Sequence, residues 1–455
     1  MLVFRRAFSV SYAQLQSSIS PGNQFLSFVS NIKASLVNKN KEKDIDLPAN
    51  VLKDINENEP TKSKHTSSES RQYKRSTHPT SVPLNKLFSN SFPYSITESL
   101  QDYSYRANPL AFQHELLSLL PFYPEPDSMG RTSKVYKVYL DGEVKGQPRN
   151  FINEFVIYPP GKSENDDPNT MNHLIMIHGY GGGLGFWFKN FDEISKSNKS
   201  QNWCIHAIDL LGYGCSSRPP FTLKNETLDE VEDWFHLSYQ QWLQKRGLDK
   251  VSKDKILIMA HSMGAYLMAT YGIRKDPNFC KKIMMVSPGA VIKHREEVNV
   301  PAYFANLWER NISPFVLVRK AGPLGSKLVS LWSSRRFANL PEEESMALHK
   351  YAYGIFQSPG SGEYMLNYLL APGADARHPL LERGMDKLRC DFLWCYGKED
   401  WMDVHGGELC SKIIKDKGFK SEVMEIADSG HHIYLDNIPV FNKLMVEEMD
   451  KFQGI

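Results

Sequence analysis

Three residues far apart in the chain could together cleave an ester: Ser262, Asp400 and His431. A free serine hydroxyl is a poor nucleophile at neutral pH and needs a base beside it. A histidine serves when a carboxylate fixes its tautomer and supports the imidazolium that forms. Ser262 stands in Ala260-His261-Ser262-Met263-Gly264, between the apolar run Ile256–Met259 and the helix-forming stretch Ala265–Tyr271. A strand, a one-residue turn and a helix would lift its hydroxyl out of a sheet on a nucleophile elbow. The flanking residues must be small there, and Ala260 takes the place of the usual first glycine. An ordinary strand-to-helix turn has the same local pattern, so the pentapeptide alone decides little.

Two further segments add weight. The loop His178-Gly179-Tyr180-Gly181-Gly182-Gly183 follows the strand-like Leu174–Ile177. A His-Gly-x-Gly loop after an early strand is where one oxyanion-binding amide belongs. His178, Gly179 and Gly181 would shape the loop. The Tyr180 N–H would pair with the Met263 N–H behind the serine. A phosphate-binding loop would need the Walker or dinucleotide spacing, and neither is present. Near the C-terminus, Phe392–Tyr396 precedes Gly397-Lys398-Glu399-Asp400, and Val423–Ile426 precedes Asp428-Ser429-Gly430-His431-His432. The order Ser262, Asp400, His431 is the one an α/β-hydrolase requires, with each residue just past a strand. His432 competes with His431 for the base, and Glu399 and Asp403 compete with Asp400 for the acid. His431 is preferred because it follows Gly430, and Asp400 for its distance after the strand. The string His431-x-x-x-x-Asp436 also resembles an acyltransferase motif, although a catalytic histidine near an acid at a helix start produces it too.

These residues need a sheet to hold them. Val135–Leu140, Phe151–Tyr158, Cys204–Asp209 and Ile283–Ser287 supply further strands, alternating with helical segments such as Thr227–Lys245. That rhythm predicts a mostly parallel, doubly wound α/β-hydrolase fold over residues 133–455. It stops between Ser287 and Cys390, where a helical cap is expected over about 290–388. Cations there (Arg310, Arg319, Lys320, Lys327, Arg335, Arg336) mix with Leu307, Trp308, Leu317 and Trp332. Such a mixture suits an anionic phospholipid surface, or a cap with its apolar face packed inward. Residues 95–132 form an amphipathic extension that could lie on a membrane or dock on the core.

Composition narrows the function classes. A chain of 455 residues with a net charge of +2 has no global nucleic-acid signature. Its six cysteines (Cys204, Cys215, Cys280, Cys390, Cys395, Cys410) show no CxxC pair and no metal spacing, and read as buried thiols. The reading needs no metal and no organic cofactor. No apolar run is long enough to cross a membrane, so association with one would be peripheral.

The segments HGYGGGLGFW (178–187), DLLGYGCSSRP (209–219), AHSMG (260–264), YGKEDWMD (396–403) and GHHIYLD (430–436) resemble one α/β-hydrolase subfamily. It includes the animal lipid-droplet lipase co-activator, a related N-acyl phospholipid lipase, fungal lysophosphatidic acid acyltransferase candidates and a fungal mitochondrial cardiolipin-specific deacylase. The resemblance runs from about Val135 to the C-terminus. The chain departs from it at Ala260 and at Asn437-Ile438-Pro439, where one extra residue precedes the usual proline. The resemblance implies a serine acyl hydrolase acting on a phospholipid, cardiolipin foremost. Lysophosphatidic acid acylation from acyl-CoA is a second implication, and a non-catalytic lipid-surface scaffold a third. An intact Ser262 argues against the scaffold.

The N-terminus points to a compartment. Met1–Lys41 contains no Asp or Glu and carries Arg5 and Arg6 among apolar residues, with several serines beyond. That composition predicts a mitochondrial transit segment over residues 1–37, followed by a disordered polar linker over 38–94. Arg6-Ala7-Phe8-Ser9 resembles a matrix-protease cleavage context, and a peripheral place on the matrix face of the inner membrane is expected. Fused to a fluorescent reporter, the first forty or so residues should direct it to mitochondria, and Arg5→Glu with Arg6→Glu should prevent import. Unchanged import of the double variant refutes the transit reading.

Overall fold

The computed structural model of the chain describes residues 93–142, 148–196, 202–294 and 300–452. The described residues up to 294 and from 304 to 452 fall in one compact unit, which holds the whole sheet. The expected transit segment, and the linker up to residue 92, lie outside the described residues.

Eight strands make one sheet: β1 (Thr132–Tyr139), β2 (Phe151–Tyr158), β3 (Asn172–Ile177), β4 (Trp203–Ile208), β5 (Ile256–His261), β6 (Lys282–Val286), β7 (Asp391–Gly397) and β8 (Ser421–Ile426). Their order is β1-β2-β4-β3-β5-β6-β7-β8. β1 and β2 pair antiparallel, β2 meets β4 antiparallel, and every later pairing is parallel. The central strands are apolar without alternation because helices cover both faces; all six residues of β4 and of β5 are buried. Edge strand β1 is more exposed, as a strand with one open side must be.

The N-terminal extension forms α1 (Ile96–Tyr105) and α2 (Pro109–Leu117). Ser95 starts α1 with a capping box, its hydroxyl accepting from the Glu98 N–H. Phe112, Leu116 and Leu117 of α2 are buried in the core, so this part of the extension docks on protein. Ile96, Leu100 and Tyr105 of α1 stay at least half exposed. Helices α3 (Phe188–Ser195), α4 (Leu228–Lys245) and α5 (Met263–Arg274) follow β3, β4 and β5. Thr227 caps α4 by accepting from the Glu230 N–H.

Between β6 and β7 the described elements are all helical: α6 (Ala302–Glu309), α7 (Phe315–Lys320), α8 (Gly325–Arg336), α9 (Glu342–Gln357) and α10 (Leu366–Leu369), with short 3₁₀ turns between them. α11 (Val404–Asp416), α12 (Ile433–Asp436) and α13 (Ile438–Phe452) complete the fold. The cations of the insertion do not form a single solvated face, as the sequence pattern allowed. Arg319 pairs with the buried Glu363 carboxylate at 2.6 Å. Arg336 is buried against Asp436 at 3.0 Å, and Arg335 Nε donates to the Leu331 carbonyl. Arg310 and Lys320 remain exposed. Long side chains on a helix bury their stems and find carboxylates where the fold offers them, which net composition does not reveal.

Buried histidines give the fold a pH dependence. His236 of α4 sits inside the core against the Leu267 carbonyl, and burial lowers its pKa to about 3. His178, just after β3, is likewise brought to about 4 by burial, against the opposing pull of the Gly179 carbonyl. Unfolded imidazoles take up a proton near pH 6.5, so below that pH the unfolded chain binds more protons than the folded one. This part of the stability is full above about pH 6.5 and is lost as pH falls towards 4 and then 3. Thermal melting followed across that window should show a falling midpoint, with a smaller fall in His236→Gln. A midpoint that stays level shows that these rings titrate normally.

Candidate active site

β5 delivers Ser262 to the C-terminal edge of the sheet. Its backbone has φ 52° and ψ −119°, between the last strand residue and the first helical one. An L-residue enters that region only where its surroundings over-determine it. The turn is held from several sides. Ser262 N donates to the Val286 carbonyl of β6 at 2.9 Å, and its own carbonyl accepts from Gly289 N at 3.2 Å and Tyr266 N at 3.2 Å. A Cβ on Gly264 would collide with the His178 carbonyl, and one on Gly179 would lie 2.9 Å from Ser262 Cβ. Both glycines are therefore required by the approach of the His-Gly loop to the elbow. Ala260, by contrast, fits as a fully buried strand residue.

The turn after β8 brings the histidine over. His431 Nε2 lies 2.9 Å from Ser262 Oγ, and His431 Nδ1 lies 3.1 Å from Asp400 Oδ1. The Asp400 side chain is buried and also accepts from Met402 N at 3.1 Å. With Nδ1–H on the carboxylate, Nε2 presents its lone pair to the hydroxyl and can take its proton. Asp403, the rival acid, caps α11 by accepting from His405 N at 3.0 Å. The rival His432 turns its ring towards His261 and Tyr434. Burial first, then the nearby Arg336 charge, holds its pKa far below the usual imidazole value.

Tyr180 and Met263 line the same cavity of about 210 Å³ as Ser262 and His431. Met263 is the first residue of α5, so its N–H has no partner within the helix. Tyr180 sits in a tight turn closed by Gly182 N donating to the Gly179 carbonyl, with Gly181 at φ +65°. The Tyr180 ring stacks on Phe315 of α7, 5.6 Å between centroids. Trp308, Leu366, Leu369 and Leu370 of the insertion give the cavity an apolar wall, and Trp401 packs its ring 4.9 Å from that of His431.

His178 shapes its loop as expected, and further residues with no expected role help to position this machinery. His178 carries its proton on Nδ1, which donates to the Gly179 carbonyl at 2.7 Å, while Nε2 accepts from Leu210 N at 3.0 Å. Asp209 is wholly buried and accepts from Leu184 N at 2.6 Å, Cys215 N at 2.7 Å and Asn153 Nδ2 at 2.8 Å. It thus ties the glycine loop to the DLLGYG segment; burial lifts its pKa to about 6 although those donors pull the other way. His261, inside the elbow itself, donates from Nε2 to the His431 carbonyl at 2.8 Å. Asp436 accepts from Gly430 N at 2.9 Å and pairs with Arg336, so the second member of the His-x₄-Asp string braces the histidine turn. A carboxylate among glycines was the available signal for Asp209, but its partners are backbone amides that a sequence does not display.

Relatives match along most of the chain. A probable 1-acylglycerol-3-phosphate O-acyltransferase of Oryza sativa is 30% identical over 362 residues, covering 75% of this chain and 81% of that one. A (lyso)-N-acylphosphatidylethanolamine lipase of Homo sapiens is 30% identical over 296 residues, covering 62% and 81%. Among solved structures, an esterase of Exiguobacterium antarcticum aligns with a TM-score of 0.47 at 14% identity, over 69% of this chain and 99% of that one. Residues 172–438 match the alpha/beta hydrolase fold family. With its mostly parallel eight-stranded sheet and Ser262 at the turn between β5 and α5, the chain belongs to that family.

Proposed function

We propose that this chain is a serine acyl hydrolase that removes a fatty acyl chain from a phospholipid. The observation that carries the reading is the hydrogen-bonded series Ser262 Oγ, His431 Nε2, His431 Nδ1 and Asp400 Oδ1. Ser262 attacks the ester carbonyl while His431 takes its proton, and the Tyr180 and Met263 N–H groups receive the oxyanion. His431 returns the proton to the departing lysophospholipid hydroxyl. Water, activated by the same imidazole, then releases the fatty acid and restores the serine.

Cardiolipin is the proposed substrate and the mitochondrial inner membrane the proposed place, on the motif resemblance and the acid-free, arginine-bearing N-terminus. No described helix is long and apolar enough to cross a membrane. The proposed contact is peripheral, through the exposed Leu307, Ile312 and Leu317 of the insertion, with Arg310 and Lys320 beside them in sequence. Leu317 is 69% exposed, which suits insertion among acyl chains. The second reading, acylation of lysophosphatidic acid from acyl-CoA, is favoured by the name of the rice relative. It uses the same acyl-enzyme and a different acceptor.

The purified chain should release fatty acid and monolysocardiolipin from cardiolipin vesicles faster than it cleaves phosphatidylcholine. Ser262→Ala and His431→Ala should each lower the rate on the order of 10⁴-fold while the protein stays folded. His432→Ala should keep a measurable part of the activity. A folded Ser262→Ala protein with the wild-type rate ends the hydrolase reading. Formation of phosphatidic acid from lysophosphatidic acid and acyl-CoA, with no fatty acid released, transfers the assignment to the acyltransferase.

A further inference from the structure

The N-terminal edge of the sheet, remote from Ser262, holds a second cluster. His173 of β3 pairs in register with Cys204 of β4, and strand alternation places His206 on the same face as Cys204. All three are buried, exposed by no more than 2%. One nitrogen of each ring and the Cys204 sulfur lie within 4.8 Å of one another.

The hydrogen bonds around the rings fix where their protons are. His173 Nε2 lies 2.9 Å from the Pro168 carbonyl, which can only accept, so Nε2 carries a hydrogen. His206 Nδ1 lies 2.7 Å from Glu154 Oε1. Glu154 Oε2 faces Arg246 Nε at 3.1 Å, so the carboxylate accepts and Nδ1 donates. Each neutral imidazole has one N–H, and both are now spent on the outer side. The inner nitrogens, His173 Nδ1 and His206 Nε2, then face each other at 3.0 Å with a lone pair each. Two lone pairs at that distance require a positive centre that both can share.

We propose that His173 Nδ1, His206 Nε2 and Cys204 Sγ bind one transition-metal ion of the zinc class. A shared proton would use only the two nitrogens, whereas a metal ion also uses the Cys204 sulfur that lies within 4.8 Å of both. Two imidazoles and a thiolate are a ligand set of zinc-type ions. The outer bonds to a backbone carbonyl and a carboxylate are those that orient metal-bound histidines and raise their basicity. Binding releases the Cys204 thiol proton to solvent and leaves both rings neutral. The site joins the N-terminal ends of β3 and β4, with Glu154 of β2 behind it, so its role is structural. The sequence reading found no metal spacing because Cys204-x-His206 is the period of a strand, and the third ligand comes from another strand.

Metal analysis of the tag-free full-length chain tests this. About one equivalent of zinc, or of another late first-row metal, should co-purify. After chelation, added Co²⁺ should give a thiolate-to-cobalt charge-transfer band. Cys204→Ser should abolish that band and His206→Gln should weaken binding at least tenfold, whereas Cys410→Ser, at another buried thiol, should change neither. Trace metal only, together with no cobalt band in the wild-type chain, overturns the proposal and leaves a proton-bound histidine pair. Should the variants fail to fold, the wild-type metal content and cobalt spectrum decide alone.

Discussion

Ser262 is held with a positive φ at the junction of β5 and α5, and much of the surrounding sequence answers to that one conformation. Strain of this kind costs on the order of 1–3 kcal/mol and persists only where neighbours make every alternative worse. Here the neighbours are the β6 carbonyl that takes the serine N–H and the two backbone amides that bind its carbonyl. The His-Gly loop then presses so close that Gly179 and Gly264 admit no side chain. The elbow points a hydroxyl and a helix N-terminus at one spot, and the same compression brings the Tyr180 turn alongside.

Around that junction, buried polar groups act as struts. Asp209 gathers amides from two loops, and His178 bridges its own loop to Leu210. His261 links the elbow to the histidine turn through the His431 carbonyl. Each strut joins segments remote in sequence, so the site's geometry is over-determined rather than dependent on any one loop. A buried polar group left without its partner costs about 1–3 kcal/mol, which explains why these groups come in satisfied sets.

Much of this was legible in the sequence, for identifiable reasons. Strands such as Ile256–Met259 are continuous apolar runs bounded by polar turns, and glycine loops mark where the chain must bend sharply. The spacing of Asp400 and His431 after β7 and β8 is local information, so the turn that holds each could be read directly. Choosing between His431 and His432 needed the ring directions, because adjacent residues point differently only once the turn is built. The insertion was the least legible part. Arg319 and Arg336 look like surface charges in sequence, yet each finds a buried carboxylate, Glu363 and Asp436, in the fold.

The Arg336–Asp436 pair has a mechanical meaning as well as a positional one. It latches the last turn of α8 to the helix that follows the histidine turn, and both side chains are buried. Removing one member of such a pair costs about 3–5 kcal/mol because the other charge is left buried and uncompensated, so Arg336 and Asp436 hold α8 to the body of the protein together. The insertion therefore does not lift away as a whole. α7 is tied down in the same way, since its Arg319 pairs with the buried Glu363 carboxylate while its Phe315 stacks on Tyr180, so the wall over the Tyr180 side of the serine is braced as well.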